Sequence, residues 1–363
     1  MKKNSKIYIA GHSGLVGSAI LKKLQSRGFS NYLLRSFEEL DLRNQSLVEN
    51  FFNEEKPEYV FLAAAKVGGI LANNTYRAQF IYDNLMIQNN IIHSSWKAGV
   101  KKLLFLGSTC IYPRDSMQPM NENYLLTSPL EYSNEPYAIA KIAGIKMCES
   151  YNLQYGTNFL CVMPTNLYGP NDNFNLETSH VLPALIRKIY LGMCLENNDW
   201  NSILKDISKR PINNFHNYSS IEQLQFELEK FGIIKEKNSG GVSVEIWGTG
   251  KPLREFLWSE EMADACIYIM ENINFSDVSI GPEIRNTHIN IGTGKEISIE
   301  NLAEIIKKTI NFNGKLIFNS QKLDGTPKKL TDTSRLHSLG WHHKIDIEEG
   351  IEKLYHWYIS TLL

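Results

Sequence analysis

The sequence lacks the features that mark a secreted, membrane-spanning or nucleic-acid-binding chain. Its 363 residues hold only five cysteines, Cys110, Cys148, Cys161, Cys194 and Cys266, an odd number at scattered positions. No CxxC pair and no zinc spacing occurs among them, which argues against a disulfide framework and a metal module and suits a cytoplasmic chain with reduced thiols. Apolar runs such as Val60–Ala65 fall far short of the ~20 residues of a spanning helix. The apolar stretch Ile7–Ala10 near the start is shorter than the roughly 7–15 residues of a signal-peptide core. Excess charge is missing too. Lys plus Arg number 38 against 39 for Asp plus Glu, a net charge of -1, so nothing points to nucleic acid or a membrane surface as partner. Internal repeats are absent.

Short β-rich runs alternate with helical periods through the first half. Strands are expected at Lys6–Ala10, Tyr32–Arg35, Tyr59–Ala64, Lys102–Gly107 and Phe159–Pro164. Helices are expected at Leu15–Leu24, Leu47–Glu54, Ala78–Ala98 and Pro136–Tyr155, the last with proline in its first turn. This alternation predicts an α/β fold, a parallel sheet covered by helices on both faces. Beyond Pro170 the pattern loosens to a polar loop and a helix at His180–Leu191. A stretch at about 194–241, rich in Asn, Lys, Glu and Ser, shows no strand pattern. It carries two amphipathic candidates. One has Trp200, Ile203, Leu204 and Ile207 on one face; the other has Ile221, Leu224, Leu228 and Phe231, with Ser219 and Glu222 as a capping box. We therefore expect a helical insertion. Val242–Trp247, a helix at Glu260–Met270 and a strand at His288–Ile291 follow.

Gly11, Gly14 and Gly17 form G-x-x-G-x-x-G between the first strand and the first helix. Glycine lets the backbone approach a pyrophosphate, and the helix N-terminus offers N–H donors, so the turn Gly11-His12-Ser13-Gly14-Leu15-Val16-Gly17 is expected to bind a dinucleotide. At the end of the second strand stands Arg35, where an acidic residue would grip a ribose 2′-hydroxyl. Its forked guanidinium suits a 2′-phosphate and favours NADP(H), with Glu38 as a counter-indication. Asp41 and Leu42 are candidate adenine contacts, Asp41 alternatively a turn cap. Tyr137 and Lys141 form Y-x-x-x-K, on one face of a helix. A nearby ammonium is expected to lower the phenol pKa, which makes Tyr137 a proton donor to a carbonyl oxygen. Ser108, after the fourth strand, is a hydrogen-bonding partner for that oxygen. Cys110 lies two residues on, and in extended chain it faces the same way.

Together these residues resemble the extended short-chain dehydrogenase/reductase family. Further motifs sharpen the match: Ala63-Ala64-Ala65-Lys66-Val67-Gly68-Gly69, Leu106-Gly107-Ser108-Thr109-Cys110-Ile111-Tyr112-Pro113, Pro164-Thr165-Asn166-Leu167-Tyr168-Gly169-Pro170, Trp247-Gly248-Thr249-Gly250 and Arg254-Glu255-Phe256. Within that family the chain is similar to the GDP-L-fucose synthases. The resemblance implies a Rossmann domain over residues 1–170 plus 255–294. It implies a smaller nucleotide-sugar domain over 171–254 plus 295–363, with the active site in the cleft between them. It also implies NADPH-dependent reduction at C4 of a GDP-linked 4-keto-6-deoxy sugar, after epimerisation at C3 and C5. In that chemistry Cys110 is the base and His180 the acid, Tyr137 the reductive proton donor, and Lys141 and Ser108 its partners. The resemblance adds Ala63–Ala65, Leu106, Gly107, Lys141, Pro164, Asn166, Leu167 and His180 to the cofactor contacts. Asn166, Val181, Lys188, Trp247, Arg254 and Lys329 become substrate contacts. A homodimer through Ala78–Ala98 and Pro136–Tyr155 is expected. A dehydratase would want an acidic residue at Thr109 or Cys110, and neither is acidic.

Three departures qualify the match. Ser13 and Phe37 stand where relatives often carry arginine, which leaves Arg35 as the main 2′-phosphate contact. Lys188 replaces a frequent arginine and loses its bidentate geometry. The insertion separates Lys188 from Trp247. It is a candidate lid, oligomer contact or surface embellishment, and it keeps open a different sugar such as a 6-deoxyheptose, reduced without epimerisation.

Overall fold

A computed structural model describes residues 1–212, 220–236, 240–322 and 324–363. Five strands, β1 (Ile7–Ala10), β2 (Tyr32–Leu33), β3 (Tyr59–Leu62), β4 (Lys102–Leu106) and β5 (Phe159–Pro164), form one sheet with a sixth, Ile289–Ile291. The order is Ile289–Ile291, β5, β4, β3, β1, β2, and every pairing is parallel. The α/β expectation therefore holds. Successive residues of a strand point to opposite faces, so each strand feeds two cores. Ile7 and Ile9 join Ile20, Leu24, Phe61, Leu104 and Val162 on one face. Tyr8 and Ala10 join Val60, Leu62, Phe51, Ile91 and Ile145 on the other. Burial on both faces explains why these strands read as continuous apolar runs. The chain runs from β1 to β2 on one side and returns to β3 on the other. The loops after β1 and β3 thus flank the switch point where such sheets bind ligands.

The helices Leu15–Ser26, Gln45–Glu55, Arg77–Lys97 and Glu135–Tyr155 lie within a residue or two of expectation. Asn44 caps the second, its side chain accepting from the Leu47 N–H at 3.2 Å. Strand β2 stops at Leu33, so Leu34 and Arg35 lie beyond the sheet rather than in it.

The chain divides into two compact units. The first comprises Met1–Asn171, Glu255–Lys295 and Leu330–Lys344. The second comprises Asp172–Arg254, Glu296–Lys329 and Ile345–Leu363. Leu330–Lys344 thus falls in the first unit, not with the rest of the C-terminal segment. Leu336 and Trp341 explain this, because both are buried in the core below the large sheet.

In the second unit Val242–Trp247 pairs with Lys315–Asn319 on one side and Ile233–Lys235 on the other. Ile233–Lys235 corrects the strandless reading of the insertion; three residues are too few to show a period. Both amphipathic helices form, at Trp200–Lys209 and Ile221–Lys230. Ile203, Ile207, Leu224 and Leu228 are buried, whereas Leu204 and Ile221 face solvent. The cap of the second helix is Ser220, which accepts from the Gln223 N–H at 3.3 Å; Ser219 lies outside the described residues. The insertion is tied to the helix Val181–Glu196 by a fully buried ion pair, Arg187 Nε to Asp206 Oδ1 at 2.8 Å. Arg187 also donates to the Phe174 carbonyl at 3.1 Å, and the Tyr358 hydroxyl donates to Asp206.

Candidate active site

The glycine turn shows what each glycine does. Gly11 has φ +82°, and a Cβ there would stand 2.8 Å from the Ala64 backbone. A Cβ on Gly17 would sit 2.0 Å from the Gly11 carbonyl oxygen. These two glycines let strand, turn and helix close on one another. Gly14 is different: a Cβ there meets only the Gly11 oxygen, at 3.6 Å. Packing does not demand this glycine. Gly14 also begins the helix with no side chain capping it. The turn is thus a cradle open to a phosphate-bearing ligand, beside a helix N-terminus with N–H donors to offer. Ser13 is exposed at its rim, with Leu15 and Val16 half-buried behind it. Ala63–Ala65 lie opposite Gly11, and the loop is held by Asn84, which accepts from the Lys66 N–H at 3.0 Å.

On the adenosine side of this cradle the candidate side chains have partners within the protein. Arg35 donates to Glu55 at 2.7 Å and to the Leu34 carbonyl at 2.9 Å, and lies over the Phe51 ring. Asp41 takes both arms of Arg43, at 2.9 and 2.8 Å, and also accepts from the Arg43 N–H. The Arg43 pairing holds the Asp41 carboxyl below its usual range. Arg43 stands 5.2 Å from the centre of the exposed Phe37 ring. Sequence reasoning missed this arginine; its i, i+2 spacing from Asp41 was the available signal. Leu42 gives its carbonyl to Asn90 at 2.9 Å.

At the end of β4, Leu106 and Gly107 lead into Ser108. Ser108 caps a one-turn 3₁₀ helix, Thr109–Ile111, its hydroxyl accepting from the Cys110 N–H at 3.3 Å. The extended geometry expected between Ser108 and Cys110 is therefore replaced by a tight turn, which still keeps the two residues together. Tyr137 and Lys141 share a face of the helix Glu135–Tyr155. Lys141 is buried and donates to the Leu106 carbonyl at 2.8 Å. Its Nζ lies 5.7 Å from the Tyr137 ring centre and 4.8 Å from that of Phe105.

Burial decides the electrostatics here. It lowers the Lys141 pKa to about 8, against the opposing charges of Cys110 and Cys161. It raises the Tyr137 phenol above its ordinary value, with a charged Cys110 adding to the rise. The expected depression of the phenol by Lys141 is overturned, because desolvation of a buried phenolate outweighs an ammonium beyond direct hydrogen-bond reach. Tyr137 consequently holds its proton near neutral pH. A charge on Cys110 acts on both Tyr137 and Lys141, so these three side chains form one electrostatic group with Ser108 beside them.

Asn166 opens the strand Asn166–Tyr168, paired with Phe256–Trp258. Its Nδ2 donates to the Glu255 carbonyl at 2.8 Å. Pro164 ends β5, and Leu167 is partly buried against the core.

The remaining candidates belong to the second unit. His180 is the N-cap residue of the helix Val181–Glu196, with Val181 its first turn. The residue is exposed, yet the protein around it lowers its pKa by desolvation. Lys188 donates to the Glu245 carbonyl, and burial lowers its pKa to about 8. Trp247, two residues further along that strand, is 65% exposed, with Lys322 at 5.1 Å over its ring. Arg254 and Lys329 are register partners in a small sheet. Arg254 donates to the Thr326 carbonyl at 2.6 Å. Burial lowers its pKa, opposed by Asp324.

Sheet order, glycine cradle and the Ser-Tyr-Lys cluster together define a Rossmann-type protein of the extended short-chain class. The NAD dependent epimerase/dehydratase family profile matches residues 7–205 and 207–292, and the chain belongs to that family. It is 48% identical over 360 residues to GDP-L-fucose synthase 1 of Arabidopsis thaliana, covering 99% of this chain and 95% of the other. It is 45% identical over 361 residues to GDP-L-fucose synthase of Escherichia coli K12, covering 98% and 97%. A solved structure of a GDP-mannoheptose C4 reductase from Campylobacter jejuni with NADP bound is 48% identical, with TM-score 0.87, covering 99% of each chain.

Proposed function

We propose that the protein is an NADPH-dependent C4 reductase of a GDP-linked 4-keto-6-deoxy sugar that also epimerises C3 and C5, as GDP-L-fucose synthases do. The observation that carries the reading is the group formed by Ser108, Cys110, Tyr137 and Lys141 beside an open dinucleotide cradle. A C4 ketone acidifies the hydrogens on both neighbouring carbons. Cys110, as its thiolate, takes a proton from such a carbon, and protonated His180 returns one to the opposite face of that carbon. Desolvation lowers the His180 pKa and favours its neutral form, so it must gain a proton before it gives one. For reduction, Tyr137 donates its phenolic proton to the C4 oxygen while Ser108 hydrogen-bonds the same oxygen. Lys141 stabilises the negative charge this leaves on Tyr137.

The cradle fits a dinucleotide because Gly14 leaves its space unfilled. Gly11–Gly17, Ala63–Ala65, Leu106, Gly107, Pro164 and Leu167 would hold NADP(H), with Arg35, Asp41 and Leu42 at its adenosine end. When bound, the nicotinamide supplies the hydride that C4 accepts. Arg254 and Lys329, adjacent cations in register, suit a diphosphate, and exposed Trp247 offers a ring for packing. Lys188 and Val181 complete the substrate set. The exposed aromatic and apolar residues Tyr82, Leu153 and Tyr155 on the two long helices support a homodimer. Sedimentation that finds only a monomer would contradict this.

A second reading keeps the C4 reduction and changes the sugar to a GDP-linked heptose. The Campylobacter reductase supports it, being 48% identical to this chain with 99% of each chain covered. Comparing kcat/KM for GDP-4-keto-6-deoxy-D-mannose with that for a GDP-4-keto heptose separates the two readings.

A further inference from the structure

Glu255 stands in the Arg254-Glu255-Phe256 motif, and none of the chemistry above uses its carboxylate. The residue is completely buried. Its Oε1 accepts from the N–H of Thr293 at 2.6 Å and of Gly294 at 2.8 Å. Its Oε2 accepts from the N–H of Thr331 at 2.9 Å and from the Thr331 hydroxyl at 2.7 Å. Space for this arrangement is made by Gly292, where a Cβ would lie 2.2 Å from both Glu255 Oε1 and Thr331 Oγ1. A buried carboxylate fully supplied with donors is a rigid fixture.

What it fixes is chemically specific. On its N-terminal side the chain is Leu253–Arg254, paired with Lys328–Lys329 so that Arg254 is level with Lys329. On its C-terminal side Phe256 is level with Asn166. The Thr331 bonds therefore hold the strand of Lys329 against the strand of Arg254, just past the point where the two cations stand side by side. The Glu255 carbonyl accepts from Asn166 Nδ2 at 2.8 Å and from the Thr165 hydroxyl at 3.3 Å. A carbonyl can only accept, so Asn166 must give it the NH₂ end and turn its Oδ1 elsewhere as an acceptor.

We propose that Glu255 is a positioning residue: it aligns the Arg254–Lys329 cation pair for a nucleoside diphosphate, and its carbonyl orients Asn166 to accept from a ligand N–H or O–H. The proposal rests on the reading of Arg254 and Lys329 as diphosphate cations. Glutamine has the same shape but only one acceptor oxygen. Its NH₂ would face either the Thr293 and Gly294 donors or the Thr331 donors and leave buried N–H groups unpaired.

Calorimetric titration with GDP alone, and separately with adenosine 2′,5′-bisphosphate, tests this on the wild type, Glu255→Gln, Thr331→Val and Arg254→Ala. Glu255→Gln should weaken GDP binding about tenfold or more, raising substrate KM. Binding of the adenosine bisphosphate should stay within about twofold, since that probe reaches only the cofactor's adenosine end. Thr331→Val, which removes one donor and keeps the carboxylate, should show a smaller loss of GDP affinity in the same pattern. If Arg254→Ala weakens GDP binding while Glu255→Gln leaves it unchanged, the proposal falls and the diphosphate reading stands. If Arg254→Ala binds GDP normally, the diphosphate reading itself falls. Should Glu255→Gln lose both ligands through misfolding, Thr331→Val decides: unchanged GDP affinity in that variant overturns the proposal.

Discussion

At the scale of single residues, the proposed chemistry turns on who holds a proton. Tyr137 keeps its phenolic proton because burial outweighs the ammonium nearby, which suits a donor in reduction. Tyr137→Phe should lower reduction by about 10²–10⁴-fold with the fold intact; near-normal turnover, with an unchanged circular dichroism spectrum, would refute its role. Lys141 loses its proton near pH 8 because its burial disfavours the charge. Below that value the ammonium is present to stabilise the anion left on Tyr137; above it the ammonium is lost. The reductive kcat/KM of the free enzyme should therefore decline as pH rises through about 8, and a profile flat to pH 10 (about two units higher) would contradict this. Residue identity at these positions was legible in the sequence because Y-x-x-x-K and the glycine spacing are local patterns. The direction of the Tyr137 shift was not, because it depends on desolvation set by tertiary packing. The same limit applied to Arg35, whose tie to Glu55 spans 20 positions, and to Glu255, whose donors come from residues 293, 294 and 331.

At the scale of elements, the turn after β1 and the insertion make opposite demands. The turn needs closeness, and a Cβ on Gly17 would stand 2.0 Å from the Gly11 oxygen. Gly17→Ala should cost about 1–3 kcal/mol of stability through overpacking, and it should weaken NADPH binding as the turn shifts. Thermal unfolding and a fluorescence titration read the two effects, and a variant with wild-type values in both would contradict the geometry. The insertion needs its anchor. Asp206 neutralises Arg187 at a point where neither touches water, so Asp206→Leu should destabilise by about 3–5 kcal/mol by stranding a buried charge. A melting temperature equal to that of the wild type would mean that the insertion is packed more loosely than described. Both insertion helices were visible from their apolar spacing, whereas the strand Ile233–Lys235 was not. Its three residues are recognisable only through pairing with Val242–Trp247. The turn at Thr109–Ile111 escaped notice for a similar reason: the Ser108 cap that forms it is a hydrogen bond, not a pattern.

At the scale of the whole molecule, the two units carry separate parts of the proposed reaction. The first holds the cradle and the Ser108, Cys110, Tyr137 and Lys141 group; the second holds His180, Lys188, Trp247, Arg254 and Lys329. The family was readable because the motifs run along nearly the whole chain, and the relatives match at 45–48% identity across it. The sugar was not readable, because GDP-L-fucose synthase 1 of Arabidopsis thaliana and the Campylobacter GDP-mannoheptose C4 reductase match the chain at the same 48% identity. The most direct test is turnover of GDP-4-keto-6-deoxy-D-mannose with NADPH in heavy water, the product being examined by mass spectrometry and NMR. Deuterium at both C3 and C5 of a C4-reduced product is the predicted result. A reduced product with no carbon-bound deuterium would contradict the epimerase roles of Cys110 and His180 and leave a pure C4 reductase.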